Sequence, residues 1–300
     1  DGLFGTHRIF SVIGPLYGVL IGVFEVLAAL VFIAVVIFWF RRNVVKIQRF
    51  MKSEMKGWPK LDGNLILYFE IVLMGLFIIM NATDVEFQSM NSGNVISQFF
   101  APMFEGYNVH LIERIAWWVH ITGILVFLNY LYYSKHLHIL LAFPNTYYGS
   151  VKPKGQLNNL EAVTNEVKLM MDPDADPYAA AAEDAALPDK FGASDVQDLN
   201  WVQLLNAYTC TECGRCTSEC PANQTGKKLS PRKIMMDTRD RLVEVGENID
   251  ANNGEFKLDG KQLLGDYITN EELWACTSCN ACVEACPVSI DPLSIILEMR

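Results

Sequence analysis

Three stretches of the chain stay apolar over lengths that a helix in water does not sustain. Ile9–Phe40 carries a single charged side chain, Glu25; the other two are Leu65–Met80 with its flanks, and Val109–Tyr133. A bilayer core about 30 Å thick takes roughly 20 apolar helical residues. The pattern therefore predicts transmembrane helices at about residues 9–40, 63–83 and 109–134. The second is the shortest and holds Glu70. The first is too long, and lacks the basic leader, for a signal peptide. Gly14, Gly18 and Gly22 recur every fourth residue along one face of the first helix. That spacing lets another helix approach closely, although glycine is also simply common in membrane helices. Pro15 is placed to kink the same stretch.

Beyond the third apolar stretch the pattern changes twice. Residues 151–198 hold no long apolar run, and residues 157–198 carry ten acids and two lysines. Asp172–Ala186 is rich in Pro, Ala and acid, and Asp189–Asp195 continues it, a composition that cannot bury a core and predicts a solvated linker. From 199 to 300 the signals are those of short helices. Ser230 is placed to cap a helix with Pro231 at its first position, running through Arg232–Val245. Thr269 and Glu272 form a capping box ahead of Trp274, and Asp291–Pro292 open a last helix. The expected architecture is all-α: a transmembrane helical bundle (1–150), an acidic linker (151–198) and an α-helical domain (199–300).

Composition adds exclusions. Hydrophobic residues are 51% of the chain and charged residues 19%, against roughly 25% in soluble domains. The average hides two unlike halves, which excludes a single soluble globule, a disordered chain and a secreted disulfide mini-protein. A net charge of −10 excludes a general nucleic-acid binder, which needs a basic surface. The chain opens at Asp1 and closes at Arg300 within a helical pattern, so both ends are expected to continue in a longer protein.

Charge also orients the spans. Arg41, Arg42, Lys46, Arg49, Lys52, Lys56 and Lys60 lie between the first and second. The loop Asn81–Asn108 carries Asp84, Glu86 and Glu105 and no Lys or Arg. By the positive-inside rule the first loop is cytoplasmic and the second external. Three spans then put everything after Lys135 in the cytoplasm.

Glu25, Glu70 and His120 are ionisable groups at membrane depth, and such groups are functional candidates. Counted from the outer face, Glu25 and His120 are each ~15 Å in at 1.5 Å per residue. Two readings compete: a Glu25–His120 hydrogen bond that satisfies both, or a quinone or proton site. His120 and His138 are five helical turns apart and would share one face of a continuous helix, a spacing that suits two b haems with axial imidazoles. The first span's bulk and the second contain no histidine, which leaves His7 and His110 at the outer boundary as partners. Interfacial histidines commonly hydrogen-bond headgroups or carbonyls, and periodicity alone favours that.

All eight cysteines fall in two blocks of identical spacing: Cys210, Cys213, Cys216, Cys220–Pro221, and Cys276, Cys279, Cys282, Cys286–Pro287. Each reads C-x2-C-x2-C-x3-C-P, the run of two-cluster ferredoxins in which the fourth cysteine serves the other cluster. One [4Fe–4S] cluster is therefore assigned to Cys210, Cys213, Cys216 and Cys286, and the other to Cys276, Cys279, Cys282 and Cys220. Zinc sites pair C-x-x-C units instead, and disulfides do not suit a cytoplasmic domain. The 55 residues between the blocks (221–275) exceed what a compact β-hairpin ferredoxin holds, so the α-helical ferredoxin is the expected fold.

Together these residues resemble membrane-bound Fe–S oxidoreductases related to heterodisulfide reductase, with a membrane part similar to the gamma subunit of respiratory nitrate reductase. The matching stretches are Trp117–His120, Tyr133–His138, Pro144–Asn145 and the block Cys210–Pro221. The resemblance implies b haems on His120 and His138, exchange with quinone, two cubanes facing the cytoplasm, and further helices before Asp1. It places the chain as a multi-pass protein of a bacterial or archaeal cytoplasmic membrane. The CCG catalytic domain of many relatives is absent from these residues, so the expected partner is a cytoplasmic CCG-domain protein or a similar oxidoreductase subunit.

The resulting expectation is a membrane electron-transfer subunit that connects quinone, through haem b, to that partner through two [4Fe–4S] clusters. The alternative is a membrane-anchored redox-responsive scaffold or sensor with clusters but no haem. A protein of the succinate dehydrogenase type would also need a [2Fe–2S] cysteine set, and no cysteine is left for one.

Overall fold

A computed structural model describes residues 9–90, 92–153, 155–157, 159, 161–172 and 192–300. His7 and residues 173–191 of the acidic linker lie outside the described residues. The chain forms two compact units, divided between His136 and Leu137. Among the described residues there is no β-strand.

In the first unit the long helices are α1 (Pro15–Asn43), α2 (Trp58–Thr83) and α4 (Val109–Leu131), with a short α3 (Val85–Ser89) after α2. All three long helices are long and apolar enough to cross a membrane. Pro15 does not kink α1. It is the first helical residue, where its missing N–H is one the helix leaves unpaired anyway. α2 lies in the middle and packs against both α1 and α4. Outward-facing Leu16, Val23, Leu30, Val72 and Leu125 are exposed, as side chains turned to lipid would be.

Polar clamps hold the bundle at the two ends of α2. At one end Asp62, 2% exposed, accepts hydrogen bonds from Tyr130 Oη, from Ser134 Oγ at 2.7 Å and from Lys135 N at 3.2 Å. At the other, Asn81 Nδ2 donates to Glu25 Oε1 at 2.9 Å, and the backbone N–H groups of Ile96 and Ser97 donate to Glu25 Oε2 at 2.8 and 3.1 Å. Glu25 is wholly buried.

The glycine face of α1 is covered by a loop, not by the expected helix. A Cβ on Gly18 would meet Ser92 Oγ at 1.9 Å, and one on Gly22 would meet Val95 Cγ2 at 3.3 Å. Gly93, at φ 90°, lies so close that its own Cβ would meet the Gly18 carbonyl oxygen at 2.6 Å. The segment between α3 and α4 thus folds back onto α1, and Glu25 satisfies its backbone donors. Irregular backbone is tolerated at such depth only when protein satisfies its polar groups.

The second unit contains α5 (His138–Tyr147), α6 (Glu161–Met171), α7 (Trp201–Thr209), α8 (Arg215–Glu219), α9 (Pro221–Gln224), α10 (Pro231–Ala251), α11 (Asn270–Trp274), α12 (Ala281–Glu284) and α13 (Pro292–Glu298). The caps read from the sequence are formed. Ser230 accepts from Lys233 N ahead of Pro231, Thr269 and Glu272 make a reciprocal capping box, and Asp291 caps α13. The long α10 packs on α7, α8 and α13 around Leu229, Ile234, Leu263, Ile268, Ile295 and Ile296.

The end of the expected linker belongs to this core. Ala193 and Val196 are 5% and 1% exposed, and Asp195 accepts from Arg241 Nη2 at 2.7 Å. Gly192 has φ 74°, and a Cβ on it would meet the Glu298 carbonyl oxygen at 2.6 Å, so the chain enters where only glycine fits. A solvated run as far as Asp195 is thereby corrected: a buried arginine 46 residues further on supplies the partner that local composition cannot show.

Candidate iron–sulfur site and the membrane histidines

The two cysteine loops repeat in conformation as well as in spacing. In the first, Glu212 and Gly214 flank Cys213 with φ of 56° and 73°; in the second, Ser278 and Asn280 flank Cys279 with φ of 54° and 60°. Left-handed residues at matching positions turn successive backbone N–H groups into one concavity, the nest geometry found around phosphates and Fe–S clusters. Ser278 N donates to Cys276 Sγ at 3.4 Å. Each loop then passes into one helical turn, α8 or α12, and these two turns pack against each other.

Five cysteines, Cys210, Cys213, Cys216, Cys282 and Cys286, line one cavity. Its remaining walls include Met235, Val288, Ile290 and Pro292, with the guanidinium-bearing Arg232 and Arg215. Cys286 Sγ accepts from Ile290 N at 3.4 Å. The loop that makes this bond is held by Asn145 on α5, 1% exposed, whose Nδ2 donates to the Val288 carbonyl at 2.7 Å.

Burial, followed by the neighbouring Cys216, pushes the Cys210 thiol up to about 12. Burial and then Cys213 do the same for Cys216, pushed up to about 12. Burial and then Cys276, Asp291 and Cys220 bring Cys282 up to about 12. Cys220 is raised by burial, and its neighbours Cys276 and Cys279 add to the rise. For Cys286 the cause after burial that raises it is Cys213. Thiols of the opposite block are thus among the causes for Cys220 and Cys286, and Cys282 and Cys286 are among those for Cys216.

The donor set fits iron–sulfur clusters. Apolar walls, amide nests and thiols brought together are what a cubane's thiolates and sulfides require.

The histidines separate. His120 on α4 is 8% exposed, and its Nδ1 lies 3.0 Å from the Leu73 carbonyl oxygen. A carbonyl only accepts, so Nδ1 carries the proton and Nε2 presents its lone pair. Phe77 lies against the ring, with centroids 5.9 Å apart. Glu25 does not reach His120. Glu25 sits level with Asn81 and His120 level with Leu73, and those positions are ~12 Å apart along α2 at 1.5 Å per residue. Equal counts along α1 and α4 do not give equal levels along α2.

His138 is not on the helix of His120. α4 ends at Leu131, a turn follows, and His138 is the first residue of α5 in the second unit, so the shared-face spacing is corrected. His110 lies in the first turn of α4, beside Glu86, Glu113 and Arg114 around a cavity at that end of the bundle. Glu70 is half-buried on α2.

Sequence reasoning missed Arg232 and Asn145. Arg232 left one signal: a cation in the first turn of a helix opposes the helix dipole. Asn145 left none beyond its place beside Pro144 in the resemblance.

Residues 209–290 match the family model of the 4Fe-4S dicluster domain. The chain is 29% identical to the probable iron-sulfur-binding oxidoreductase FadF of Bacillus subtilis (strain 168), over 96% of this chain and 42% of that protein. It is 26% identical to the EtfAB:quinone oxidoreductase of Syntrophomonas wolfei subsp. wolfei, over 93% of this chain and 39% of that protein. Over 32% of this chain and 45% of the relative, it is 34% identical to one subunit of the ferredoxin/F(420)H(2)-dependent CoB-CoM heterodisulfide reductase of Methanosarcina acetivorans. The chain spans less than half the length of each of these relatives. No solved structure matches it.

Fold and site together define an α-helical 4Fe–4S dicluster domain that follows, in the chain, three helices of membrane-spanning length. The resemblance to iron–sulfur oxidoreductases related to heterodisulfide reductase, read from the cysteine block, is borne out by these relatives.

Proposed function

We propose that this chain is the membrane electron-transfer part of an oxidoreductase complex, connecting quinone to a cytoplasmic partner through haem b and two [4Fe–4S] clusters. The observation that carries the reading is the pair of cysteine loops with left-handed residues at the same two positions, in a domain of the dicluster family. Cys210, Cys213, Cys216 and Cys286 would hold one cluster, and Cys276, Cys279, Cys282 and Cys220 the other. The crossed fourth ligands are supported by the neighbours of Cys220 and Cys286 in the opposite block. When bound, such clusters accept and pass on single electrons.

His120 is the proposed haem ligand in the membrane. Its Nδ1–H is donated to a backbone carbonyl, the arrangement that fixes the tautomer and orients an axial imidazole. His138 enters the proposal by the resemblance alone. Glu70 is the proposed carboxylate for quinone protons, whereas Glu25 already accepts three hydrogen bonds and holds the loop. Quinone exchange is further supported by the likeness to an EtfAB:quinone oxidoreductase. The cations between α1 and α2 favour the cytoplasmic side for that loop, and with it for the ferredoxin domain. The proposed partner carries a CCG domain or a similar oxidoreductase site.

The test is an absorbance spectrum of the purified chain, with and without dithionite, beside iron and acid-labile sulfide analysis. The reading predicts a reduced b-type α-band and sulfide equal to the non-haem iron. Iron and sulfide without an α-band would remove the haem and leave a membrane-anchored cluster protein.

A further inference from the structure

We propose that Arg232 is the buried counter-charge of the cluster held by Cys210, Cys213 and Cys216, and makes that cluster the higher-potential member of the pair. The inference rests on the cluster reading above. It is independent of which fourth cysteine completes the site.

Arg232 is 0% exposed and lines the cavity with Cys210, Cys213, Cys216 and Cys286. It is pinned to the first cysteine loop: its Nη1 lies 3.5 Å from the carbonyl oxygen of Glu212, and its backbone N–H donates to Thr217 Oγ1 at 3.2 Å. Glu212 lies between Cys210 and Cys213, and its carboxylate is engaged by Arg239 Nη1 at 2.9 Å. The guanidinium stands in the first turn of α10, where the helix dipole opposes a cation. Burying a cation there is unfavourable unless negative charge faces it. A cubane held by four thiolates is anionic, and each electron added to it increases that charge.

The second site is built otherwise. Its nearby cation is Arg300, which donates to the carbonyls of Leu273 and Cys276 but is exposed, so water and salt screen it. The guanidinium of Arg232 acts through a low-dielectric wall. It stabilises the reduced state at the first site, more than the screened Arg300 can at the second. Net charge and burial are among the variables that set iron–sulfur potentials.

The experiment is a redox titration of the full chain in detergent, followed by electron paramagnetic resonance. The first cluster's signal is assigned by its loss in Cys213→Ala. In the unmutated protein the first cluster is expected to be reduced at higher potential than the second. Arg232→Gln is expected to lower the reduced-to-oxidised ratio of the first cluster at least tenfold at fixed potential, about 59 mV for one electron, and to leave the second in place. Arg232→Lys is expected to keep most of the unmutated ratio. Equal shifts in both clusters, or no shift in a variant that retains both, would overturn the inference. So would a first cluster that titrates below the second in the unmutated chain, a result that needs no variant to fold. Absence of iron and sulfide from the unmutated protein would overturn the cluster reading itself.

Discussion

Asn81 Nδ2 donates to Glu25 Oε1 at 2.9 Å across the α1–α2 interface, and the same carboxylate takes the backbone N–H groups of Ile96 and Ser97. One carboxylate thus ties two helices and a folded-back loop. Glu25→Leu strands three buried donors, each worth about 1–3 kcal/mol when unsatisfied. The expected outcome is a clearly lowered thermal midpoint in detergent, with Glu25→Gln intermediate. Glu25→Gln should leave quinone reduction intact once the protein is folded. An unchanged midpoint with lost quinone reduction would assign Glu25 to chemistry instead.

The close approach of Gly93 to Gly18 gives an ordered pair of effects. A Cβ on Gly93 meets backbone, the Gly18 carbonyl oxygen, in addition to its left-handed φ. A Cβ on Gly18 meets mainly the end of the Ser92 side chain, which can rotate away. Gly93→Ala should therefore destabilise by about 1–3 kcal/mol, and Gly18→Ala by less. Thermal unfolding of the two variants side by side checks the order.

Arg241 has no solvent exposure and bonds to both Asp195 and Asp259. Arg241→Met leaves two carboxylates without their cation, at an expected cost of about 3 kcal/mol near neutral pH. The hydrogen bond from Arg241 holds the Asp259 carboxyl at about 2, below its ordinary 3.8. A depressed acid stabilises the fold above its ordinary value and loses that contribution as pH falls through the depressed one. The gap in thermal midpoint between unmutated protein and Arg241→Met should therefore narrow as pH drops from above 3.8 towards about 2. A gap that is constant with pH would contradict the pairing.

These cases show what the sequence made legible. The cysteine blocks, the Ser230 cap, the Thr269–Glu272 box and the three apolar helices are local patterns, and each formed where its residues stand. The partners of Glu25 were not legible, because two of them are main-chain donors of Ile96 and Ser97 that any residue supplies. The register of α1 against α4 is set by α2, so counting residues along each helix misplaced Glu25 relative to His120. Asp195 read as part of a solvated acidic run because its partner, Arg241, is distant in sequence. Gly214 signals a left-handed position by its identity, but Glu212 and Ser278 adopt one without announcing it.

His120 supports a single-residue prediction in the membrane. Its Nε2 is the acceptor nitrogen once Nδ1–H is donated to Leu73, so His120→Phe should remove a b-type α-band while leaving the cluster signals. Absorbance and paramagnetic resonance on one preparation check both halves. An α-band unchanged in His120→Phe would place the haem elsewhere.

The crossed assignment of the cysteines is tested most directly by paramagnetic resonance of the reduced single variants. Cys213→Ala and Cys279→Ala first identify the two signals. Cys220 has its neighbours in Cys276 and Cys279, and Cys286 has its neighbour in Cys213. Cys220→Ala is therefore expected to disturb the signal lost in Cys279→Ala, and Cys286→Ala the signal lost in Cys213→Ala. If Cys220→Ala instead altered the Cys213 signal and spared the other, each block would hold its own cluster and the crossed assignment would be contradicted.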